Sequence, residues 1–268
     1  MMTLTLIVSS YNQMDLLKRV LLGVARQKTF PDEVILADDG STDNTQTFFR
    51  EWSEKQNFPA HLLSQPHSNF RKARILNQAI STSQGDYIVF LDGDSIPHPY
   101  FVADHRQLAQ NNFFVQGHRA LVGRKSLSYF GKNTLYLDSL RALFTLQLKG
   151  IKHAFRWPKP LTRIRTDLHG IRGCNLGIWR EDLLKINGYN EDFVGWGRED
   201  SELAVRLMNL GSKRIDVRGR ACCFHLWHPP APRTELSKND QLLEQAIREG
   251  HIRCQKGITK GMNESSPS

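Results

Sequence analysis

From Thr3 to Asp92 the chain alternates short, wholly apolar runs with amphipathic stretches, and this alternation restricts the fold more than anything else in the sequence. The spacing predicts strands over 3–9, 33–38 ("EVILAD"), 60–64 and 86–92 ("DYIVFLD"), with helices over 13–27, 43–57 and 70–82 between them. The first helix carries Leu16, Leu17, Val20, Leu21 and Val24 on one side. Strands that are apolar along their whole length have no face left for water, so helices must cover both sides of their sheet. The expected fold is therefore α/β: a mixed, mainly parallel sheet with helices on both faces.

The second half is less regular. A helix is predicted over 133–148, with Thr134, Asp138, Arg141, Thr145 and Lys149 on one polar stripe. "GCNLGIW" reads as a returning strand, 180–186 and 200–210 as helices, and "KRIDVRGRACCFHLWH" as a strand pair. A terminal helix is expected over 236–254, followed by a disordered tail, "GMNESSPS". There is no internal repeat and no low-complexity linker. The reading is one domain with four parts: a nucleotide-sugar-binding half (1–118), a basic insertion (119–172), an acceptor and catalytic half (173–232), and a terminal helix with its tail (233–268).

The net charge of +9 is not spread evenly. Between Arg119 and Arg172 twelve Lys/Arg stand against two acids, Asp138 and Asp167. Such a block points to a polyanionic partner: a phospholipid surface, a phosphorylated glycolipid or nucleic acid. Its densest part, Lys149 to Arg165, includes Phe155 and Trp157 and is expected to dock peripherally on an anionic membrane. Nucleic acid fits less well, because aromatics are few there and the acidic strand ends would go unexplained. Cys174, Cys222, Cys223 and Cys254 lack paired ligand spacing and read as reduced structural thiols. No apolar run reaches membrane-spanning length, and the N-terminus lacks a basic n-region and a cleavage site. The expected location is cytoplasmic, at most peripheral on the inner face of the membrane.

Open α/β sheets bind ligands outside the carboxyl ends of their strands, and the polar clusters lie there. Ser9-Ser10-Tyr11-Asn12 follows the first strand, Asp38-Asp39-Gly40-Ser41 the second, and Asp92-Gly93-Asp94 the fourth. Two carboxylates two residues apart, with glycine allowing a tight bend, can hold Mg²⁺ or Mn²⁺ against a diphosphate. Asp-Gly is also common in turns. Asp39 can accept a hydrogen bond from a uracil imide, while Ser41 or Thr42 caps the next helix. Arg71, Lys72 and Arg74 would pair with phosphate oxygens, or else form a solvated helix face. His225 and His228, three apart near a strand end, would bring at least one further metal ligand. In "VGWGREDSEL" glycines flank Trp196, and Glu199 and Asp200 open a helix, where the macrodipole favours acids in any case.

Together these features resemble the nucleotide-sugar glycosyltransferases of family 2, which have the Rossmann-like GT-A fold. "VSSYNQMDLLKRVLLGVARQ", "VILADDGSTDNT", "NFRKARILNQAISTSQGDYIVFLDGDSIPHPYFVADH" and "NGYNEDFVGWGREDSELAVRL" carry the resemblance in the family's order. "GWGRED" is also similar to the carboxy-terminal part of β-1,4-galactosyltransferases and chondroitin-type polymerases. The resemblance implies a UDP-sugar donor, with Asp39 reading uracil and Asp92 near the ribose and diphosphate. Ser10, Asn12, Arg71, Arg74 and Gly93 complete the expected donor site. It implies that Asp94 and a histidine after the last core strand hold the divalent cation, and that Asp200, or else Glu199, is the catalytic base. Asn175, Trp196, Gly197 and Glu199 are expected around sugar and acceptor.

The activity implied is inverting transfer of a hexose or N-acetylhexosamine to a glycan or lipid-linked hydroxyl, in bacterial-type surface polysaccharide or lipopolysaccharide synthesis. A nucleotidyltransferase is the alternative among enzymes, but "VSSYNQMD" is no Gly-rich triphosphate loop. A non-catalytic nucleic-acid-binding protein is the alternative outside them.

Overall fold

The computed structural model describes residues 2–132 and 134–259. The tail expected to be disordered, and Asn133 at the start of one expected helix, lie outside these residues. The elements run β1 (Leu4–Ser10), α1 (Met14–Ala25), β2 (Glu33–Asp38), α2 (Thr45–Ser53), β3 (Ala60–Ser64), α3 (Lys72–Thr82) and β4 (Tyr87–Asp92). Then follow β5 (Ser95–Pro97), α4 (Phe101–Leu108), β6 (Phe113–Gln116), β7 (Arg119–Val122), α5 (Leu135–Phe144), β8 (Leu148–Lys149) and β9 (Leu161–Arg165). The chain closes with β10 (Asn175–Trp179), α6 (Arg180–Lys185), α7 (Glu199–Asn209), β11 (Lys213–Arg218), β12 (Cys223–Leu226) and α8 (Leu236–Glu249).

The main sheet has the order β3-β2-β1-β4-β10-β6-β11-β9. Its first four strands are parallel, while β10 runs antiparallel between β4 and β6. Along β1 the pleat sends Leu4, Leu6 and Val8 to a core shared with α1, α2 and α4. Ile7 points the other way, into a core with α3, α6 and α7. Both faces are covered, which is why these strands carry apolar residues throughout. This is the expected α/β architecture, a mixed, mainly parallel sheet with helices on both faces.

Two expectations fail in the second half. β11 and β12 are no strand pair: β11 lies in the main sheet, and β12 in a second sheet of order β5-β12-β7-β8. The helix expected over 133–148 is the shorter α5, and of its polar stripe Thr134, Arg141 and Thr145 are exposed while Asp138 is not. Asp138 is buried and accepts a hydrogen bond from the Gly131 N–H at 2.8 Å, while Lys149 belongs to β8. A backbone donor thus satisfies the buried carboxylate. The segment 119–172 is woven into both sheets through β7, β8 and β9. The four cysteines are free and buried, as expected of structural thiols.

Candidate active site

The carboxyl ends of β1, β2 and β4 open into a cleft of about 1540 Å³, closed on the far side by the start of α7 and the segment after β12. At the end of β4, Asp92 Oδ1 accepts hydrogen bonds from Ser9 Oγ at 2.9 Å and Lys72 Nζ at 2.8 Å. Two residues on, Asp94 is met by two imidazoles, with His225 Nδ1 at 2.8 Å from Oδ1 and His228 Nε2 at 3.2 Å from Oδ2. Sheet pairing brings them there: β12 runs antiparallel to β5 with His225 opposite Ser95, and the Leu226 N–H donates to the Asp94 carbonyl at 2.8 Å. Burial opposes ionisation of Asp94, but the two histidines outweigh it and hold its carboxyl well below the usual range. The hydrogen bond to Asp94 in turn raises His228. One ligand atom from each of the three residues lies within 4.8 Å of the others. A carboxylate with two imidazoles is a donor set that suits a divalent transition ion such as Mn²⁺, so the residues fit the expected metal.

Asp39, buried at the end of β2, accepts from Gln65 Nε2 at 2.6 Å and from the Arg71 N–H at 2.9 Å. Burial raises its pKa. Beside it the Tyr11 ring stacks on His67 with centroids 4.4 Å apart and planes 14° from parallel. Both rings line the cleft.

The opposite wall explains the glycines around Trp196. Gly195 and Gly197 take φ of +76° and +109°, and a Cβ on them would meet Glu235 at 2.9 Å and Leu236 at 3.1 Å. The start of α8 therefore approaches this backbone, and Asn239 Nδ2 clamps it by donating to the Val194 and Gly197 carbonyls at 3.2 and 3.0 Å. The loop so held leaves Trp196 41% exposed at the cleft, with Arg233 over its ring at 5.0 Å.

Behind the loop, Glu199 and Asp200 begin α7. Asp200 Oδ2 accepts the Gly173 N–H at 2.8 Å, and Asp200 Oδ1 is buried with no hydrogen-bond partner. Gly173 leaves room for this approach, since a Cβ there would lie 2.1 Å from that carboxylate and force it to shift. Burial raises the pKa of Asp200. Burial, with Asp200 alongside, raises Glu199 to about 8. Burial would discharge Lys72, but Asp92, Asp200 and Glu199 around it keep its ammonium charged to well above the ordinary lysine range.

Not every expected residue reaches the cleft. Asn175 is fully buried in β10, where its Nδ2 donates to the Ala221 carbonyl at 2.7 Å and its Oδ1 meets His105 Nε2 at 2.9 Å. It braces the junction of the two sheets and is no sugar contact. The Arg71 guanidinium turns back to the Pro66 carbonyl at 2.6 Å, and neither Arg71 nor Arg74 lines the cleft. Of the three consecutive-turn cations Lys72 alone does, because the first turn of α3 aims it at β4. Asn12 reaches the cleft while tying two loops together: its Oδ1 accepts the Thr42 N–H at 2.7 Å, and its own N–H donates to Ser41 Oγ at 2.8 Å. Ser10 and Gly93 line the cleft, and Ser10 Oγ is buried without a partner. Tyr11 stands in the polar cluster after the first strand and Lys72 in the run of cations expected on phosphate, whereas no sequence signal marked His67 or Gly173.

With this geometry in view, the similarities to known proteins are informative. The family model described as "Glycosyl transferase family 2" matches residues 5–182, and one described as "N-terminal domain of galactosyltransferase" matches residues 159–228. The chain is 26% identical to a chondroitin synthase of Escherichia coli over 91% of its own length and 38% of that protein's. It is 26% identical to a hyaluronan synthase of Pasteurella multocida over 80% of its length and 24% of that protein's. The chain thus spans well under half of either relative. Among solved structures it superposes on the mannosyltransferase PcManGT of Pyrobaculum calidifontis, in complex with GDP-Man and Mn²⁺, with TM-score 0.58 and 20% identity, over 93% of this chain and 72% of that one. GalNAc-T7, with UDP, GalNAc and Mn²⁺, gives TM-score 0.66 and 13% identity over 93% and 50%.

Proposed function

Because the chain belongs to glycosyl transferase family 2, we propose that it moves a hexose or N-acetylhexosamine from a UDP-sugar to a glycan or glycolipid hydroxyl, with inversion. The observation that carries this reading is Asp200 Oδ1, a buried carboxylate oxygen without a partner in the same cleft as a carboxylate–bis-imidazole cluster. Asp39 would accept the uracil imide, and the Tyr11–His67 stack offers the base a flat surface. Asp94, His225 and His228 would hold Mn²⁺ or Mg²⁺, which when bound supplies positive charge to the leaving diphosphate. Asp200 takes the acceptor hydroxyl proton, the freed oxygen bonds to the anomeric carbon, and UDP leaves with the electron pair of the broken C–O bond. Glu199, with its pKa near 8, is protonated at neutrality and can donate a hydrogen bond to sugar or acceptor. No second carboxylate need act as nucleophile, unlike in a retaining glycosidase. The test is a panel of UDP-sugars scored for hydrolysis and transfer with Mn²⁺ and with EDTA. Metal-dependent release of UDP from one of them is expected, and inertness toward all of them overturns the reading.

A second expectation concerns pH. Activity requires Asp200 ionised, so the acid limb of kcat/KM should lie above the ordinary carboxylate range, because burial raises Asp200. Lys72 opposes that rise. Lys72→Met should therefore move the acid limb to higher pH. A limb that stays in place or moves down removes Lys72 from the electrostatics of the base.

A further inference from the structure

Helix α5 packs Leu135 and Ala142 on the core but leaves a bulkier apolar face toward solvent. At about 100° per residue, Tyr136, Leu137, Leu140, Leu143 and Phe144 share one face, and Asp138, Ser139 and Ala142 the other. The second face is the buried one. The bulky apolar face meets solvent, with Leu137 61% and Phe144 85% exposed. Leu146, just beyond the helix, is also 85% exposed and takes φ +55°, a left-handed conformation that costs a side chain with a Cβ. A surface helix normally turns its apolar stripe to the core. One that turns it outward offers a contiguous apolar patch for contact with something else.

The surrounding charge selects what that is. From Arg119 to Lys159 nine Lys/Arg accompany one acid, Asp138, and that acid is buried. Lys125 and Lys132 on the chain entering the helix, and Lys149 and Lys152 on the chain leaving it, are all exposed. A second copy of this chain would set these cations against their own like. An anionic bilayer accepts both features: apolar side chains enter the acyl boundary while lysines meet the headgroups. In the stretch 149–165, expected from the sequence to dock, both aromatics and two of the arginines are engaged elsewhere, while Lys149, Lys152 and residues 158–164 are exposed. Phe155 packs on the core, Trp157 against Gly219, Arg156 on Asp104 and Arg165 on Asp167.

We propose that the outward face of α5, with its flanking lysines, docks the protein on an anionic phospholipid bilayer. α5 follows β7 and the turn after it, where Leu121, Val122 and Leu127 line the cleft, so docking holds the cleft beside the bilayer. Service to a lipid-linked acceptor would rest on the proposed function, whereas docking itself does not.

The test is cosedimentation of the full chain with phosphatidylcholine vesicles, with and without phosphatidylglycerol, at low and high salt. Wild type should bind the anionic vesicles, release in salt, and ignore phosphatidylcholine alone. A Leu137→Ser/Phe144→Ser/Leu146→Ser variant and a Lys125→Gln/Lys132→Gln/Lys149→Gln/Lys152→Gln variant should each bind at least roughly tenfold more weakly. These residues lie outside the cleft, so UDP-sugar hydrolysis by either variant should match wild type. An inactive wild type would leave the vesicle result readable. Absence of binding at low salt, or undiminished binding by either variant, overturns the proposal. So does sedimentation velocity in which the apolar variant loses self-association while vesicle binding persists, because the patch then belongs to a second copy.

Discussion

Asp200→Asn is expected to lower kcat by roughly 10²–10⁴-fold while leaving donor binding intact. The substitution keeps the shape of the side chain. Its amide oxygen can still accept the Gly173 N–H that Asp200 Oδ2 accepts at 2.8 Å, so the junction between the start of α7 and the chain before β10 survives. Only the proton acceptor at the unpartnered Oδ1 position is removed. Titration with UDP and Mn²⁺ should therefore give a wild-type dissociation constant from a variant that scarcely turns over. Glu199→Gln should be milder, since an amide can still donate the hydrogen bond that protonated Glu199 would supply. A larger loss of kcat in Glu199→Gln than in Asp200→Asn would exchange the two roles.

What the sequence disclosed about this site divides along a physical line. β2 begins and ends where its apolar run does, because a strand buried on both faces advertises itself residue by residue. The polar residues at the carboxyl end of β1 and the acids at the ends of β2 and β4 follow from the same local reading. Contacts made by pairing across long stretches of chain were not legible. Nothing in "CCFHLWH" says that β12 leaves the main sheet to lie against β5, yet that pairing puts both histidines on Asp94. Helix phase hid a second group of residues: among Arg71, Lys72 and Arg74, which cation faces the cleft depends on where the first turn of α3 starts. Asn175 misled because a polar residue at a strand end reads the same whether it meets a ligand or braces two sheets.

Asp94→Ala is expected to cost about 10³-fold or more in transfer and to abolish the Mn²⁺-dependent part of UDP binding. Asp94 is the only carboxylate in the three-residue cluster, and its two oxygens engage one imidazole each, so its loss leaves two neutral ligands for a hard, charged ion. His228 should then titrate lower, because its raised pKa derives first from the hydrogen bond to Asp94. That shift separates loss of a ligand from general damage: NMR titration of the metal-free variant should show a folded protein in which His228 has moved down appreciably. Asp94→Asn provides a second control, since an amide keeps the volume and one acceptor oxygen but not the charge, and should fail with metal nearly as badly. His225→Ala and His228→Ala should each weaken Mn²⁺ while keeping the carboxylate, and so lose less than Asp94→Ala. Full transfer by wild type in excess EDTA, or unchanged turnover in folded Asp94→Ala, would remove the metal from the mechanism and leave the Asp94–His225–His228 cluster a structural tie between β5 and β12.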